Sequence, residues 1–571
     1  MLLNGMPLNA GPLNGFGTAG GGDGPVEIKP GQAFAWRLRL LVDDEDWTAS
    51  LVGAVEVDRE EGASGTATFT LYLGTDPVSP TSWVGRAVTI RYLSTAEGVT
   101  ADVVRFTGRI ADPTFDAVGR TLTARCSDQL QQRIEAMEIA QIDALVGGQW
   151  SSDVFEPVDG RSRWDYAQER LTSVTGSLDC SPYGALRVTS WLSVAPAYEF
   201  GQGSTVYGSL AVELADLSSQ TNRVEIECDY RFSRLWQLNA SYGWQHPGTG
   251  NAVGEAGFCN WRGDDTELPD VEMITSATES SGQTLFYATW YPLPPTGVYC
   301  NPPAAWINNF TELLLGGNWI AGRRWVQSVT ERYRLVMEVQ PSVAATGPIV
   351  GRQRASFEIE SDKASGWESD PITGGSTGHS DEKDDNRRLS ALNCLLAQGA
   401  TTLIAAHRGT TVTWDVPTSM VLPIDLVHTI RLDDQGARAV GKCQRIVDRL
   451  DLASGSALTT ISIAVMRGGG GAADALAPPS GSVAPDSPPS GGGQLPTQLG
   501  GRNSSPIYDD EADGFAGNWT ENDLDINPSL ELFPRRFSVT AKDIPETYRD
   551  EHAPELAATY RVSVPDDLLE M

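Results

Sequence analysis

Two stretches of this chain carry strands of the same kind in the same order, and that constrains the fold more than any other feature of the sequence. The first reads VEVDREEGASGTATFTL (55–71), VTIRYL (88–93), FTGRI (106–110) and GRTLTARC (119–126). The second reads VELADLSSQTNRVEIEC (212–228), HTIRL (428–432), AVGKC (439–443) and GSALTTISIAV (455–465). Each set is a hairpin, a Thr-Ile-Arg strand, a strand with Gly before a basic residue, and a strand entered from Gly through Leu-Thr. Within the sets apolar and polar residues alternate. Ala67, Phe69 and Leu71 oppose Thr68, Thr70 and Tyr72, and in FAWRLRL Phe34, Trp36 and Leu38 oppose Arg37 and Arg39. A period of two is that of a half-buried strand. The expected class is mainly β with α+β insertions, containing two similar small β-barrel domains, since a barrel closes its own edges.

Breaks in pattern divide the chain further. Residues 1–24 form an N-terminal arm with Leu-Asn-Gly repeats, and 25–133 the first barrel. Residues 134–202 read as a small α+β domain. RWDYAQERLTSVTG places Trp164, Ala167, Leu171 and Val174 on one helical stripe with Gly176 to close it, and a hairpin turns at Ser-Pro-Tyr-Gly (181–184). Residues 203–236 and 411–466 are assigned to the second barrel, where Val224, Ile226 and Cys228 alternate inward. Between them, 237–410 is an inserted mixed α/β domain ending in a helix with Leu389, Leu392, Leu396 and Leu403 on one face and Gly409 at its end. Residues 467–505 are a Gly/Pro/Ser linker and 506–571 an acidic C-terminal module.

Composition excludes some functions. With 74 acidic and 42 basic side chains the net charge is −32, which argues against a surface that wraps nucleic acid. No run approaches 18 apolar residues, so no membrane span is expected. The seven cysteines are scattered, without a CxxC, and read as mostly reduced and buried, with folding in a reducing cytoplasm.

The motifs that hint at chemistry fail on context. GGSTG (374–378) matches GxSxG, but its flanks are polar loop, whereas a nucleophile elbow needs a strand before it and a helix after. His379 beside Ser376 adds no triad. Arg-Gly-Asp in WRGDDT (261–266) reads as a turn. Asp264, Asp265 and Glu267, or Asp381, Glu382, Asp384 and Asp385, lack EF-hand spacing and read as solvated loops. The five histidines (246, 379, 407, 428, 552) have no zinc-ligand spacing, and His428 reads as a structural residue in a strand. No catalytic, cofactor or metal residue is therefore assigned, and the protein is expected not to be an enzyme.

Several segments resemble the central tail hub, or baseplate hub, proteins of bacteriophages. FTGRIADPTFDAVGRTLTARCSDQLQQ is similar to the family's first tube domain, and WDYAQERLTSVTGSLDCSPYGALRVTSW to its small second domain. NRVEIECDYRFSRL is similar to the return to the second tube-type barrel. The longest match is ALNCLLAQGATTLIAAHRGTTVTWDVP with IDLVHTIRL and GKCQRIVDRLDLASGSALTTISIAV. The resemblance spans roughly 25–466. It implies a homotrimer whose six like barrels form a ring continuing the tail tube. It also implies a place at the virion tail tip after assembly in the bacterial cytoplasm. The implied partners are the distal tail protein, tip or central fibre proteins and the tape measure protein, with DNA passing through the channel unbound. The acidic balance then serves either a non-sticking channel or general solubility.

Both ends lie outside the resemblance. Leu3, Leu8 and Leu13, five residues apart among Asn-Gly and Gly-Pro, suit an extended arm that docks on a neighbour, or a disordered leader. Trp519 and Phe533 are the candidate contacts of the C-terminal module with a tip or fibre protein. Two other functions compete: a Trp-rich carbohydrate- or receptor-binding adhesin, and a tail-associated cell-wall hydrolase.

Overall fold

The alternating segments of the first half become strands whose inward residues share one core. They are β1 (Val26–Ile28), β2 (Ala35–Val42), β3 (Leu51–Glu60), β4 (Thr66–Tyr72), β5 (Ala87–Ala96), β6 (Val99–Asp116) and β7 (Thr121–Ser127). Leu38, Leu40, Val57, Phe69, Leu71, Ile90 and Leu122 are buried together. This computed structural model describes residues 24–30, 34–75, 77–96, 99–216, 220–262, 268–360, 377–495 and 537–571, with the backbone of the paired strands Leu2–Leu3 and Met6–Pro7.

A small α+β unit follows, with helices Leu130–Glu135, Ile139–Val146 and Arg163–Leu171 over the hairpin Gly176–Cys180/Leu186–Ser190. Ser162 caps the third helix by accepting from the Asp165 N–H. The helix stops at Leu171, before the expected Gly176, which instead opens the hairpin. A side chain there would meet the Thr189 carbonyl at 2.9 Å, so glycine lets the strands close.

The second half begins with β8 (Tyr198–Phe200) and β9 (Ala211–Glu213) and is then interrupted by a separate sheet. That sheet contains β10 (Arg223–Gln245), β11 (Thr284–Pro292), β12 (Leu314–Glu338) and β13 (Val350–Glu358). β10 pairs with β12 along the whole length of β10, from Arg223↔Glu338 to Gln245↔Gly316. The helix Asp385–Ala406 covers one end, with Leu392, Leu396 and Leu403 buried against Val224, Ile226 and Tyr333. Leu389, expected on that face, is 38% exposed, and Arg388 is buried instead. This helix is apolar and long enough to cross a membrane, but half of its apolar window is packed inside the fold. It ends at Ala406, before Gly409.

The second half resumes with β14 (Thr410–Pro417), β15 (Thr429–Asp434), β16 (Ala437–Asp451) and β17 (Ser456–Val465) around a core of Phe200, Trp414, Ile430, Ile446 and Ile463. The chain finishes with β18 (Glu555–Arg561) and β19 (Leu569–Glu570).

The two halves repeat one strand order, although their last pairs differ in direction: β2 runs antiparallel to β5, and β8 parallel to β15. The first has the order β3-β4-β7-β6-β5-β2 and the second β9-β14-β17-β16-β15-β8. Both carry a one-residue bulge at the same place. Ala111 is the extra residue where β6 meets β7, and Gln444 where β16 meets β17. Three residues before each bulge stands a glycine at a close approach. A side chain at Gly108 would meet the Ser127 carbonyl at 2.5 Å, and one at Gly441 the Ala464 carbonyl at 2.5 Å.

Four expectations are corrected. The partner of Ala211–Glu213 is Thr410–Pro417, not the segment ending at 228, so the insertion splits the hairpin itself. VEIECDY does alternate inward, but into the separate sheet, because a period of two specifies a strand and not its partner. No barrel closes among the described residues. The halves lie in one 15-stranded sheet, because β16 takes the edge of β3. Within the C-terminal region, the described residues 537–571 are not a separate body on a tether. Gly492–Gln494 pairs beside β10, β18 pairs with β12, and β19 pairs with β16. A Gly/Pro/Ser-rich segment has no core of its own, yet it can lie on open sheet edges that need partners. The cysteines divide as well: Cys259 and Cys300 form a disulfide with Cα atoms 5.6 Å apart, and Cys126, Cys180, Cys228, Cys394 and Cys443 are free and buried.

Candidate assembly interface

The seam between the halves is the most elaborated polar feature of the molecule. β16 pairs with β3 in register from Arg445↔Glu60 to Asp451↔Ala54. On the outer face Arg445 reaches Asp58 at 3.0 Å, and Arg449 lies 3.5 Å from Glu56. These exposed pairs contribute little energy and serve register.

The inner face is different. Val55, Val57, Ile446 and Leu450 are buried, and among them Asp448 is fully buried. Arg105 of β6 grips it with two bonds of 2.8 Å and donates a third, at 2.9 Å, to the Leu422 carbonyl. Thr459 also donates to Asp448, at 2.7 Å. Arg105 points inward because it is the extra residue of a bulge between β5 and β6. Burial opposes both charges. For Arg105 the Asp448 carboxylate outweighs burial and raises the pKa, and for Asp448 the guanidinium outweighs burial and lowers it.

A second knot ties in the α+β unit. Asp425 accepts from Arg59 at 2.6 Å and from Arg187 at 2.7 Å, and Arg187 also donates to Asp179 at 2.8 Å. Burial pushes the Asp425 carboxyl up, but the two guanidiniums hold it well below the usual range. Arg408 bonds Glu61 at 2.7 Å. Ser419 links to Tyr92 and Ser94, each at 2.9 Å, and burial pushes the Tyr92 phenol up to about 12. Each of these charged groups is held by a fixed partner. The arrangement fixes the two halves at one angle and offers no free acid or base to a substrate.

Sequence reading passed over these residues, although a signal existed. Arg59 and Asp448 occupy inward positions of alternating strands, after Val55 and Val57 and between Ile446 and Leu450. A charge at such a position requires a buried partner.

The residues singled out from sequence are dispersed. Leu8, Leu13, Trp519, Phe533, Asp264, Asp265, Glu267 and Ser376 lie outside the described residues, and for Leu3 only the backbone is described. The other acidic run is spent locally. Asp381 pairs with Arg234, Asp384 caps the helix Asp385–Ala406, and Asp385 pairs with Arg388. His379 packs on Trp236. His428 lies one residue before β15, and its Nδ1 accepts from the Asp425 N–H. Among the described residues no three His, Cys, Asp or Glu side chains are grouped to hold a metal. Two shallow clefts on the separate sheet, of about 470 and 360 Å³, are lined by no carboxylate, histidine or cysteine. None of the described tryptophans is exposed.

No family model matches the sequence, and no curated protein does. Among solved structures, the chain is similar to a tail protein from Neisseria meningitidis MC58, at 10% identity and a TM-score of 0.35, covering 75% of this chain and 96% of that one. It is similar to the 43 kDa tail protein of prophage MuSo2 from Shewanella oneidensis, at 10% identity and a TM-score of 0.34, with the same coverage. A third is the prophage tail protein gp18 from Listeria monocytogenes EGD-e, at 7% identity and a TM-score of 0.28, covering 75% of this chain and 94% of that one.

Proposed function

We propose that this chain is a structural hub of a phage tail, acting without catalysis. Three copies form a ring that joins the tail tube and distal tail protein to the tip or central fibre. The ring's channel passes the tape measure protein and DNA. The observation that supports this reading is the internal duplication. Two halves with one strand order, one bulge position and one close-approach glycine are joined edge to edge. A chain that carries two like units in head-to-tail order presents twice as many units as chains, so three copies offer six to a six-fold tube. A net charge of −32 suits a channel through which DNA slides, because no cluster of Lys and Arg releases counterions.

The test is light scattering with negative-stain imaging of the purified chain, alone and with the distal tail protein. The expected particle is a three-fold ring with a central hole and three times the 61.3 kDa chain mass. A compact monomer under both conditions would overturn the reading.

A further inference from the structure

The intrachain seam has a counterpart that the single chain leaves open. At the seam, the C-terminal half of β16 is flanked by β17 on one side and by β3 on the other. The equivalent part of β6, residues 111–116, is flanked by β7 alone. Its other side is occupied only as far as Ile110, whose N–H and carbonyl bond Arg86 and Gly85. The equivalent of β3 is β9, and β9 is the terminal strand of its sheet, paired with β14 on one side only. The molecule therefore carries, among the described residues, both halves of a second seam: a free overhang of β6 in the first half and the terminal strand β9 in the second.

We propose that β6 of one copy pairs with β9 of the next, antiparallel, in the register of the internal seam. The shared bulge and the β3–β4 and β9–β14 pairings fix that register. Arg445 corresponds to Asp112 and Glu60 to Ala215, so Asp112 comes opposite Ala215, Thr114 opposite Glu213, and Asp116 opposite Ala211. The core-side row then joins Pro113 and Phe115 to Leu214 and Val212. Phe115 and Pro113 lie opposite the buried Leu122 and Ala124, and Val212 opposite the buried Val412, which places all of these on the core faces. Leu214 is 70% exposed in the single chain. Natural edge strands are usually blunted with charge, and this edge offers a leucine to its partner. On the outer row the acidic residues face Ala or Thr, so no like charges stand directly opposite. Pro113 reduces the available ladder bonds by at most one.

Such a contact is heterologous, so repeating it closes a ring or grows a filament. The strand pairing rests on the chain's own seam, and only the number of copies rests on the hub reading. The test is the full chain carrying Thr114→Cys with Glu213→Cys, oxidised and separated without reductant. The expected result is cross-linking into closed species of three chain masses, absent with Thr114→Cys alone. A second variant, Leu214→Asp, touches no internal core and is expected to lower ring formation at least tenfold with unchanged thermal unfolding. Rings that form without cross-links and tolerate Leu214→Asp would overturn this pairing and leave the hub reading standing. Cross-linked open ladders would support the pairing and overturn the three-copy ring. Monomers without cross-links would overturn both.

Discussion

Arg105 and Asp448 stand 343 positions apart in the chain and meet, fully buried, across the seam. Removing one partner of a buried pair leaves an uncompensated charge, which costs about 3–5 kcal/mol, whereas replacing both with apolar residues is far milder. Asp448→Asn is therefore expected to lower stability in urea unfolding by about 3–5 kcal/mol. The double change Arg105→Met with Asp448→Leu should recover most of that loss. A single variant within 1 kcal/mol of the parent would show that the pair does not hold the halves together. At this scale the sequence was partly readable. Asp448 betrays itself by interrupting an apolar row, while Arg105 does not, because only the bulge turns it inward.

Strands were the most legible elements. The alternation over 66–72 and over 35–42 appears as buried and exposed residues in turn. The Thr-Ile-Arg, Gly-basic and Leu-Thr strands of both halves pair as the same three-stranded meander. The shared glycines give this equivalence a test. A methyl group at Gly108 or Gly441 would press on a neighbouring strand's carbonyl at the same distance. Overpacking of this kind costs about 1–3 kcal/mol, so Gly108→Ala and Gly441→Ala should both lower the thermal midpoint, by similar amounts. Loss at one site and none at the other would count against a true repeat.

Over the whole molecule, protonation couples acidity to stability. Burial lowers the pKa of His379, His428 and His552. As pH falls through about 6.5, the unfolded chain takes up protons that these rings still refuse, so stability declines from there to their lowered values and then levels off. Glu61 and Asp179, raised by burial, act oppositely and lower on the scale. The folded chain takes up their protons first, and stability is regained as pH falls through their raised values. The urea midpoint is therefore expected to drop between pH 7.5 and pH 6. A midpoint that holds or rises over that interval would contradict the burial of these histidines.

Local alternation alone marks the chain as mainly β, gives the inward row of its regular strands, and shows that three strands of one half recur in the other. These follow from local alternation, which the backbone pleat converts directly into faces. Which strand pairs with which emerges only in three dimensions. There Val224, Ile226 and Cys228 enter a separate sheet, β9 finds a partner some 200 residues away, and Gly492–Gln494 and Glu555–Arg561 lie along open edges. The physical reason is that strand edges are nearly interchangeable. Every backbone offers the same donors and acceptors, so partners are chosen by the packing of whole faces and by buried charges such as Asp448 and Asp425, and neither is written in the period of a single strand.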